Sequence, residues 1–199
     1  VYKRQHLGSS RSPLESLTEA FKLCKKAIAL DNSQDMPHYL LGHIYALFGK
    51  FDEAIAEGKL AISLNPNSAT AYNYLGRTLT YAGRAKEAID LIKKGLRLNP
   101  LAGGSLTLGN AFRETGQYEE ALAEYKKAIK SRPNNIIAYL CLAGTYALSG
   151  RHEEARKAWS EVLKLDPTMT VEKNFPKTWP YGPEHRQRLI TAMHNSGIT

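Results

Sequence analysis

The chain repeats a pattern of glycine, alanine and proline at a nearly constant interval, and no other sequence feature constrains its fold as strongly. A glycine stands at the same distance before each of four prolines, and an alanine follows each of these glycines by five residues. These landmarks are Gly49, Gly83, Gly116 and Gly150; Ala54, Ala88, Ala121 and Ala155; and Pro66, Pro100, Pro133 and Pro167. Their period of about 34 residues indicates stacked structural units, each too small to bury its own core.

Each unit is predicted to form two antiparallel helices. In the first complete unit, apolar residues such as Leu41 and Ile44 recur at helical spacing. Gly49 should end this first helix, because glycine accepts the left-handed conformation of a helix terminus. Pro66 should end the second helix, since proline cannot continue one. Ser68 is then a candidate N-cap for the next first helix.

Small residues occupy equivalent places in both helices of each unit. They are Gly42, Gly76, Gly109 and Ala143 in the first helices, and Ala54, Ala88, Ala121 and Ala155 in the second helices. Small side chains allow two helix axes to approach closely, so a larger residue should overpack the contact at a cost of roughly 1–3 kcal/mol.

The four units carry closely related motifs. They are YLLGHIY…GKFDEAIAEGKLAISLNP, YNYLGRTL…GRAKEAIDLIKKGLRLNP, LTLGNAF…GQYEEALAEYKKAIKSRP and YLCLAGTY…GRHEEARKAWSEVLKLDP. This pattern resembles the tetratricopeptide repeat (TPR), a helix–turn–helix unit of about 34 residues. The resemblance implies an all-α fold, a right-handed superhelix (α-solenoid) of antiparallel helix pairs with a C-terminal capping helix.

The same resemblance predicts how the chain is divided. The expected segments are an irregular or truncated start (1–13), the second half of a partial unit (14–34), four complete units (35–68, 69–101, 102–135 and 136–169), and a proline-rich link with a capping helix (170–199). The opening VYKRQ also resembles translated adapter sequence, and the chain is expected to be a fragment of a longer protein.

Unit 102–135 departs from the repeat pattern. It is one residue short, and Gly103 and Gly104 stand where its first helix should begin. Because a glycine inside a helix costs about 1 kcal/mol relative to alanine, this helix should be short or frayed at its start. Ser105 stands where a large aromatic residue is usual.

The tail after residue 169 has its own pattern. Its prolines predict extended or irregular backbone over 170–183, followed by one helix from Pro183 to just before Gly197. Leu189, Ile190 and Met193 form the apolar face of that helix, and Trp179 and Tyr181 should pack on the last repeat. The tail is similar to the end of TPR regions in bacterial class III adenylate/guanylate cyclase-like proteins and related TPR regulatory proteins.

Composition excludes several classes of protein. No apolar run approaches the roughly 18 residues that span a bilayer, and two cysteines, Cys24 and Cys141, are too few for a disulfide scaffold. A cytoplasmic protein is expected. The net charge is +8, but its positive residues are spread along the chain. The second-helix lysines Lys93, Lys94, Lys126 and Lys127 alternate with acidic residues, so no specific nucleic-acid binding is expected.

The sequence carries no assembled catalytic motif. HEEAR at His152 begins like a zinc-protease motif, but Arg156 stands where the second histidine must be. Acidic pairs such as Asp52–Glu53 open second helices, where they complement the helix dipole. The two cysteines lack partners at metal or redox spacing. We therefore predict no enzyme activity, no cofactor and no metal.

What remains is a binding surface, and the TPR resemblance implies a concave groove lined by the first helices. The groove residues it implies are Tyr39, His43, Asn73, Tyr74, Arg77, Tyr81, Asn110 and Arg113. Arg77, Asn110 and Arg113 could hold a carboxylate, and both arginines are expected to be exposed. The set resembles the carboxylate clamp of chaperone-binding TPR proteins but lacks its lysines.

Three interpretations remain open at this stage. The main hypothesis is a non-catalytic protein–protein interaction scaffold that binds a partner peptide or domain in the groove, where an acidic group of the partner would meet the arginines. The alternative is a regulatory C-terminal region of a larger signalling enzyme, such as an adenylate/guanylate cyclase with an upstream catalytic domain. The same residues could also be solvated groove positions without a fixed ligand. Partner identity and oligomeric state are not decided.

Overall fold

The computed structural model describes residues 12–101, 103–174 and 182–199, and these residues form helices and no strands. The helices are α1 (Pro13–Leu30), α2 (Asp35–Leu47), α3 (Phe51–Leu64), α4 (Ala69–Tyr81), α5 (Ala85–Leu98), α6 (Gly104–Glu114), α7 (Tyr118–Ser131), α8 (Ile136–Leu148), α9 (His152–Leu165), α10 (Val171–Asn174) and α11 (Pro183–Asn195). Residues 1–11, Trp179 and Tyr181 lie outside the described residues, so expectations for them are not tested.

The turns inside the helix pairs form where the glycine spacing predicts them. Gly49, Gly83, Gly116 and Gly150 have φ angles of 73°, 76°, 77° and 74°. These are left-handed conformations that side chains with a Cβ disfavour. Ser68 caps α4, because its side chain accepts a hydrogen bond from the backbone N–H of Ala71. Asn135 caps α8 in the same way through Ala138.

The small residues of the repeat lie at the helix crossings. A Cβ added to Gly109 would lie 2.5 Å from Cε1 of Tyr125, and one added to Gly42 would lie 2.9 Å from the carbonyl oxygen of Ala54. The alanines of the second helices are almost completely buried, with Ala88 and Ala121 both 0% exposed. The close helix contacts predicted from the sequence are therefore confirmed.

The helices stack as an α-solenoid, which confirms the predicted all-α architecture. The strongest contacts join α2 to α3, α4 to α5, α6 to α7 and α8 to α9. In addition, α2 packs against α4 and α4 against α6, so the first helices also contact one another. Because the first helices contact one another as well as their own partners, they form the inner layer of the stack. The second helices α3, α5, α7 and α9 form the outer layer.

The third unit and the tail show two local departures. Helix α6 begins at Gly104 and has 11 residues, against 13 in α4, so the predicted short helix is confirmed. The prediction of extended or irregular backbone over 170–183 was wrong for Val171–Asn174, which forms a helical turn. That turn is stabilised by burial of Val171 and by a hydrogen bond from Lys173 N to Thr170 Oγ1.

Helix α11 covers the end of the solenoid. It packs against α8 and buries Leu189, Ile190 and Met193, the three residues of its predicted apolar face. Ser196, just after the helix, is held by the outer layer: its carbonyl oxygen accepts a hydrogen bond from Arg156 Nη1 at 3.0 Å. The helix therefore shields the last repeat from water, as a solenoid cap must.

Candidate binding groove

The predicted groove residues all lie on first helices, but the structure divides them into two groups. Tyr39 and His43 lie on α2; Asn73, Tyr74, Arg77 and Tyr81 on α4; Asn110 and Arg113 on α6. In the first group, Tyr39, His43 and Arg77 surround Tyr74 at the contact of α2 with α4. The second group lies on α6, near the C-terminal helix.

Tyr74 is the centre of a cluster that joins the first two repeats, called here the Tyr74 cluster and consisting of Tyr39, His43, Tyr74 and Arg77. The Tyr39 ring stacks on the Tyr74 ring, with centroids 5.0 Å apart, and the His43 ring meets it edge-on at 5.2 Å. The Arg77 guanidinium lies over the same ring, 4.4 Å from its centroid. The cluster combines flat apolar surface with one positive charge.

Arg77 carries buried donors that have no acceptor. Its Nε and Nη2 atoms are buried, and neither makes a hydrogen bond. These atoms are adjacent on one edge of the guanidinium, where they form a fork that matches the two oxygens of a carboxylate. Arg84 shows this match in the same repeat: its Nε and Nη2 each donate to one oxygen of Glu87 at 2.7 Å. The Arg77 fork offers the same two donors, although both atoms are closed off from solvent in this structure.

His43 is neutral at physiological pH. Burial, and secondarily the nearby positive charge of Arg77, lower the pKa of its imidazole to about 4. A neutral imidazole adds no positive charge to the cluster, so its charge resides on Arg77. The depressed pKa also shows that Arg77 and His43 are close enough to interact electrostatically across the α2–α4 contact.

Tyr81 lies within electrostatic reach of both predicted arginines. Burial raises the pKa of its phenol, while Arg77 and Arg113 act in the opposite direction. Asn110 is used within the fold instead: its Oδ1 accepts a hydrogen bond from the buried hydroxyl of Tyr125 at 2.8 Å and one from Cys141 Sγ at 3.5 Å. The carboxamide oxygen of Asn110 therefore helps to hold α6 against α7 and α8.

The expectation that Arg113 is exposed was wrong. The residue is 3% exposed, and its Nε donates to Glu114 Oε1 at 3.1 Å. The adjacent carboxylate offsets the cost of burying the guanidinium, and α11 approaches the same end of α6. Arg113 is thus part of the interior, whereas the partly exposed Arg77 presents its charge in the groove.

Sequence reasoning missed the charge network around Glu114. His185 Nδ1 lies 2.6 Å and Arg188 Nη2 3.4 Å from Glu114 Oε2, and both residues belong to α11. Burial is the largest single influence on the Glu114 carboxyl and acts to raise its pKa, but His185 and Arg113 together outweigh it, so the pKa is lowered. One sequence signal existed: an acidic residue at the end of a helix is unfavourable unless a positive group compensates it.

The described part of the chain contains no group of three or more His, Cys, Asp and Glu residues arranged to hold a metal ion. Within the same residues, no helix combines the length and the apolar character needed to cross a membrane. The two cysteines are free thiols, and burial raises the pKa of each. The unpaired donors of Arg77 and the rings packed around it make the groove a candidate binding site.

Comparison with known proteins agrees with a helical-repeat interaction fold. Three models of the tetratricopeptide repeat match the chain, at residues 39–102, 109–150 and 136–169. Together these matches cover most of the solenoid, and the chain carries tetratricopeptide repeats. The expected similarity of the tail to cyclase-associated regions is not shown by these matches.

Two curated relatives match part of the chain. Hsp70-Hsp90 organizing protein 3 of Arabidopsis thaliana is 37% identical over 62 residues, which is 31% of this chain and 11% of the relative. TPR repeat-containing thioredoxin TTL4 of the same organism is 42% identical over 60 residues, 30% of this chain and 9% of the relative. The matched region is thus about a tenth of either relative.

Solved structures share the fold over most of the chain. MamA superposes with a TM-score of 0.62 at 25% identity, over 84% of this chain and 97% of that one. PilW, described as a type IV pilus biogenesis factor, superposes with a TM-score of 0.73 at 20% identity, over 92% of this chain and 83% of that one. YrrB is described as a TPR protein with an unusual peptide-binding site. It superposes with a TM-score of 0.59 at 22% identity, over 79% of this chain and 81% of that one.

Proposed function

We propose that this chain is a non-catalytic, cytoplasmic interaction scaffold that binds an acidic segment of a partner protein at the Tyr74 cluster. The observation that carries the proposal is the fork of Arg77, whose buried Nε and Nη2 lack an acceptor. A buried donor without an acceptor costs about 1–3 kcal/mol. A carboxylate that reaches the fork, once neighbouring side chains shift to open it, recovers that cost on binding. Among the similar proteins, YrrB is described as having a peptide-binding site, and the Arabidopsis relative is named as an organizing protein of Hsp70 and Hsp90.

The neighbours of Arg77 favour a carboxylate over other acceptors. The Tyr74 ring fixes the guanidinium plane from 4.4 Å, which reduces the entropy that the side chain loses on binding. The neutral His43 leaves the charge of Arg77 uncompensated within the cluster. Tyr39 and Tyr74 add aromatic surface, and aromatic and arginine residues supply many binding hot spots. An Asp or Glu flanked by apolar residues meets all three features.

The test starts from a random peptide display library selected on the immobilised chain. Enriched peptides are then titrated by fluorescence polarisation against the wild type, Arg77→Gln and Arg97→Gln. Arg97 is the matched control, because it is an exposed arginine on the outer helix of the same repeat. We expect enrichment of Asp and Glu, and an affinity loss of at least about tenfold for Arg77→Gln, the equivalent of 1.4 kcal/mol.

Two results would contradict the proposal. One is enrichment of peptides without acidic residues. The other is equal affinity of the wild type and Arg77→Gln for the acidic peptides, which would place binding outside the Tyr74 cluster. A similar loss in Arg97→Gln would show that net charge, and not the fork, determines binding.

A further inference from the structure

A second cleft lies at the edge of the third repeat, on the side of the repeat connections. It has a volume of about 490 Å³ and lies between α5, α6 and α7. Its lining includes Leu96, Leu101, Ser105, Glu124 and Lys127. Its size is within the range of about 300–1,000 Å³ that is usual for small-ligand pockets. Leu101, on its rim, is 83% exposed.

The other repeats show what the cleft would contain if unit 102–135 followed the pattern. Ser105 lies four residues before Gly109, and the residues four before Gly42, Gly76 and Ala143 are His38, Tyr72 and Tyr139. Each of those three residues has a ring in its side chain, and both His38 and Tyr72 are buried. In the third repeat the ring is replaced by a serine, and a cleft takes its place.

The residues around the cleft match those that hold the rings of the first two repeats. Glu124 lies three residues after Ala121, as Glu57 lies three after Ala54. In the first repeat, the Glu57 carboxylate lies 2.6 Å from Nδ1 of the His38 ring. Glu124 is therefore placed as an acceptor for a ring N–H.

Lys127 has a counterpart in the second repeat. It lies six residues after Ala121, as Lys94 lies six after Ala88. The Lys94 ammonium lies over the Tyr72 ring, 4.8 Å from its centroid. Lys127 instead bonds Glu124 Oε1 at 2.5 Å. The third repeat thus has both the carboxylate and the ammonium of a ring site without a ring of its own.

The Glu124 carboxylate has capacity for a further donor. The residue is only 8% exposed, and Lys127 is its one hydrogen-bond partner among the described residues. The Lys127 ammonium takes Oε1, so Oε2 is the oxygen left for a ligand donor. A mostly buried carboxylate with one spare oxygen gains about 1.5–3 kcal/mol from a well-placed donor.

We infer that this cleft binds an aromatic ring with an N–H donor, of the indole type, with the N–H on Glu124 and the Lys127 ammonium over the ring face. Indole fits both neighbours, because its N–H only donates and its electron-rich face is the strongest partner for a cation. Leu96 and Leu101 supply apolar contact for the ring edge. This site is separate from the Tyr74 cluster and does not depend on the proposed function.

The probe is 5-fluoroindole, observed by fluorine NMR in the presence of the whole chain. We expect saturable binding, and amide shifts in a proton–nitrogen spectrum that centre on Ser105 and Ser131 and leave Arg77 unchanged. Fluorobenzene, which has a ring without an N–H, should bind more weakly. Absence of binding by fluoroindole, shifts elsewhere in the chain, or equal binding of the two rings would each overturn the inference.

Three variants test the roles of the residues. Ser105→His should restore the pair seen between His38 and Glu57, occupy the cleft and abolish fluoroindole binding. Glu124→Gln should weaken binding about fivefold, the difference between a charged and a neutral acceptor. Glu57→Gln, the same change at the equivalent place in the first repeat, should leave binding unchanged. Wild-type affinity in Glu124→Gln would overturn the inference even if Ser105→His does not fold.

Discussion

The Glu114 carboxylate on α6 and the His185 ring on α11 meet at 2.6 Å, although the two residues are far apart in the chain. Arg113 bonds the other oxygen of the same carboxylate at 3.1 Å. This contact ties the capping helix to the third repeat across α8. Of the two arginines predicted for the groove, Arg113 belongs to the interior, whereas Arg77 is partly exposed.

Arg113→Ala is expected to destabilise the chain strongly. The variant leaves Glu114 with one partner fewer and opens a space at a residue that is 3% exposed. Removing one member of a buried ion pair typically costs about 3–5 kcal/mol. Urea unfolding monitored by circular dichroism measures this change.

Arg77→Ala and Arg97→Ala are the comparisons for that prediction. Arg77→Ala removes a cation–π contact but also two donors without acceptors, so its net effect should be small. Arg97→Ala changes an exposed residue and should stay within about 0.5 kcal/mol of the wild type. If Arg113→Ala were as stable as these two variants, the Arg113–Glu114 contact would contribute nothing to the free energy of unfolding.

The sequence predicted the repeat architecture well because its landmarks act locally. A glycine at a turn adopts positive φ whatever surrounds it, and Gly109 and Ala121 are small because the two helices of their own unit cross there. These effects depend on neighbours within a single repeat unit. Hence the helix pairs, the short α6 and the apolar face of α11 could all be predicted from spacing alone.

The state of the groove residues could be predicted from spacing only in part. Arg77 follows the small residue of its first helix by one position, and Arg113 follows its own by four. The residues equivalent to Arg113 are Ala46, Thr80 and Ala147, and all three are buried, so the repeat register itself places Arg113 in the interior. The ion pairs of Glu114 with α11 depend on the return of that helix, which spacing does not fix. The Tyr39–Tyr74 stack likewise depends on how closely α2 packs on α4.

Gly109→Ala should destabilise the chain even though alanine favours helices. The added Cβ would lie 2.5 Å from Tyr125 Cε1, and Tyr125 is completely buried and cannot move aside easily. Overpacking of this kind costs roughly 1–3 kcal/mol. Gly144→Ala is the matched control in the next first helix, where the Cβ would meet only the flexible end of Leu189 at 3.2 Å.

The control should cost clearly less than Gly109→Ala, because its contact is milder and the gain in helix propensity of up to about 1 kcal/mol offsets it. Thermal and urea unfolding of the two variants measure the difference. If Gly109→Ala proved as stable as Gly144→Ala, the first and second helices of the third repeat would not be in close contact.

The net charge of +8 should not produce strong binding to DNA. Lys93, Lys94 and Lys126 lie over the rings of Phe112, Tyr72 and Tyr146, and Lys127 is paired with Glu124. Lysines engaged within the fold are less able to contact phosphates. We expect weak binding to a labelled duplex that falls steeply between about 50 and 200 mM salt, measured by fluorescence polarisation. Sequence-preferring binding that persists at physiological salt would contradict this.

The stability of the chain should decrease as pH falls below about 6.5, because of His43. Its pKa is about 4 in the folded chain and 6.5 when exposed, so the unfolded chain binds the extra proton first. The contribution of the neutral His43 ring to the free energy of unfolding is therefore fully present above pH 6.5 and is lost as pH falls to about 4. At about 1.36 kcal/mol for each pH unit, the loss from this group is at most about 3 kcal/mol.

His43→Phe is the variant that isolates this effect, since it keeps a ring against Tyr74 but cannot be protonated. Urea unfolding at pH 7 and pH 4.5 should show a smaller loss of stability in His43→Phe than in the wild type. Tyr74→Phe is the control, because it changes the same cluster without removing a group that titrates in this range. If His43→Phe lost as much stability as the wild type, protonation of His43 would not oppose folding, and its imidazole would not be held neutral beside Arg77.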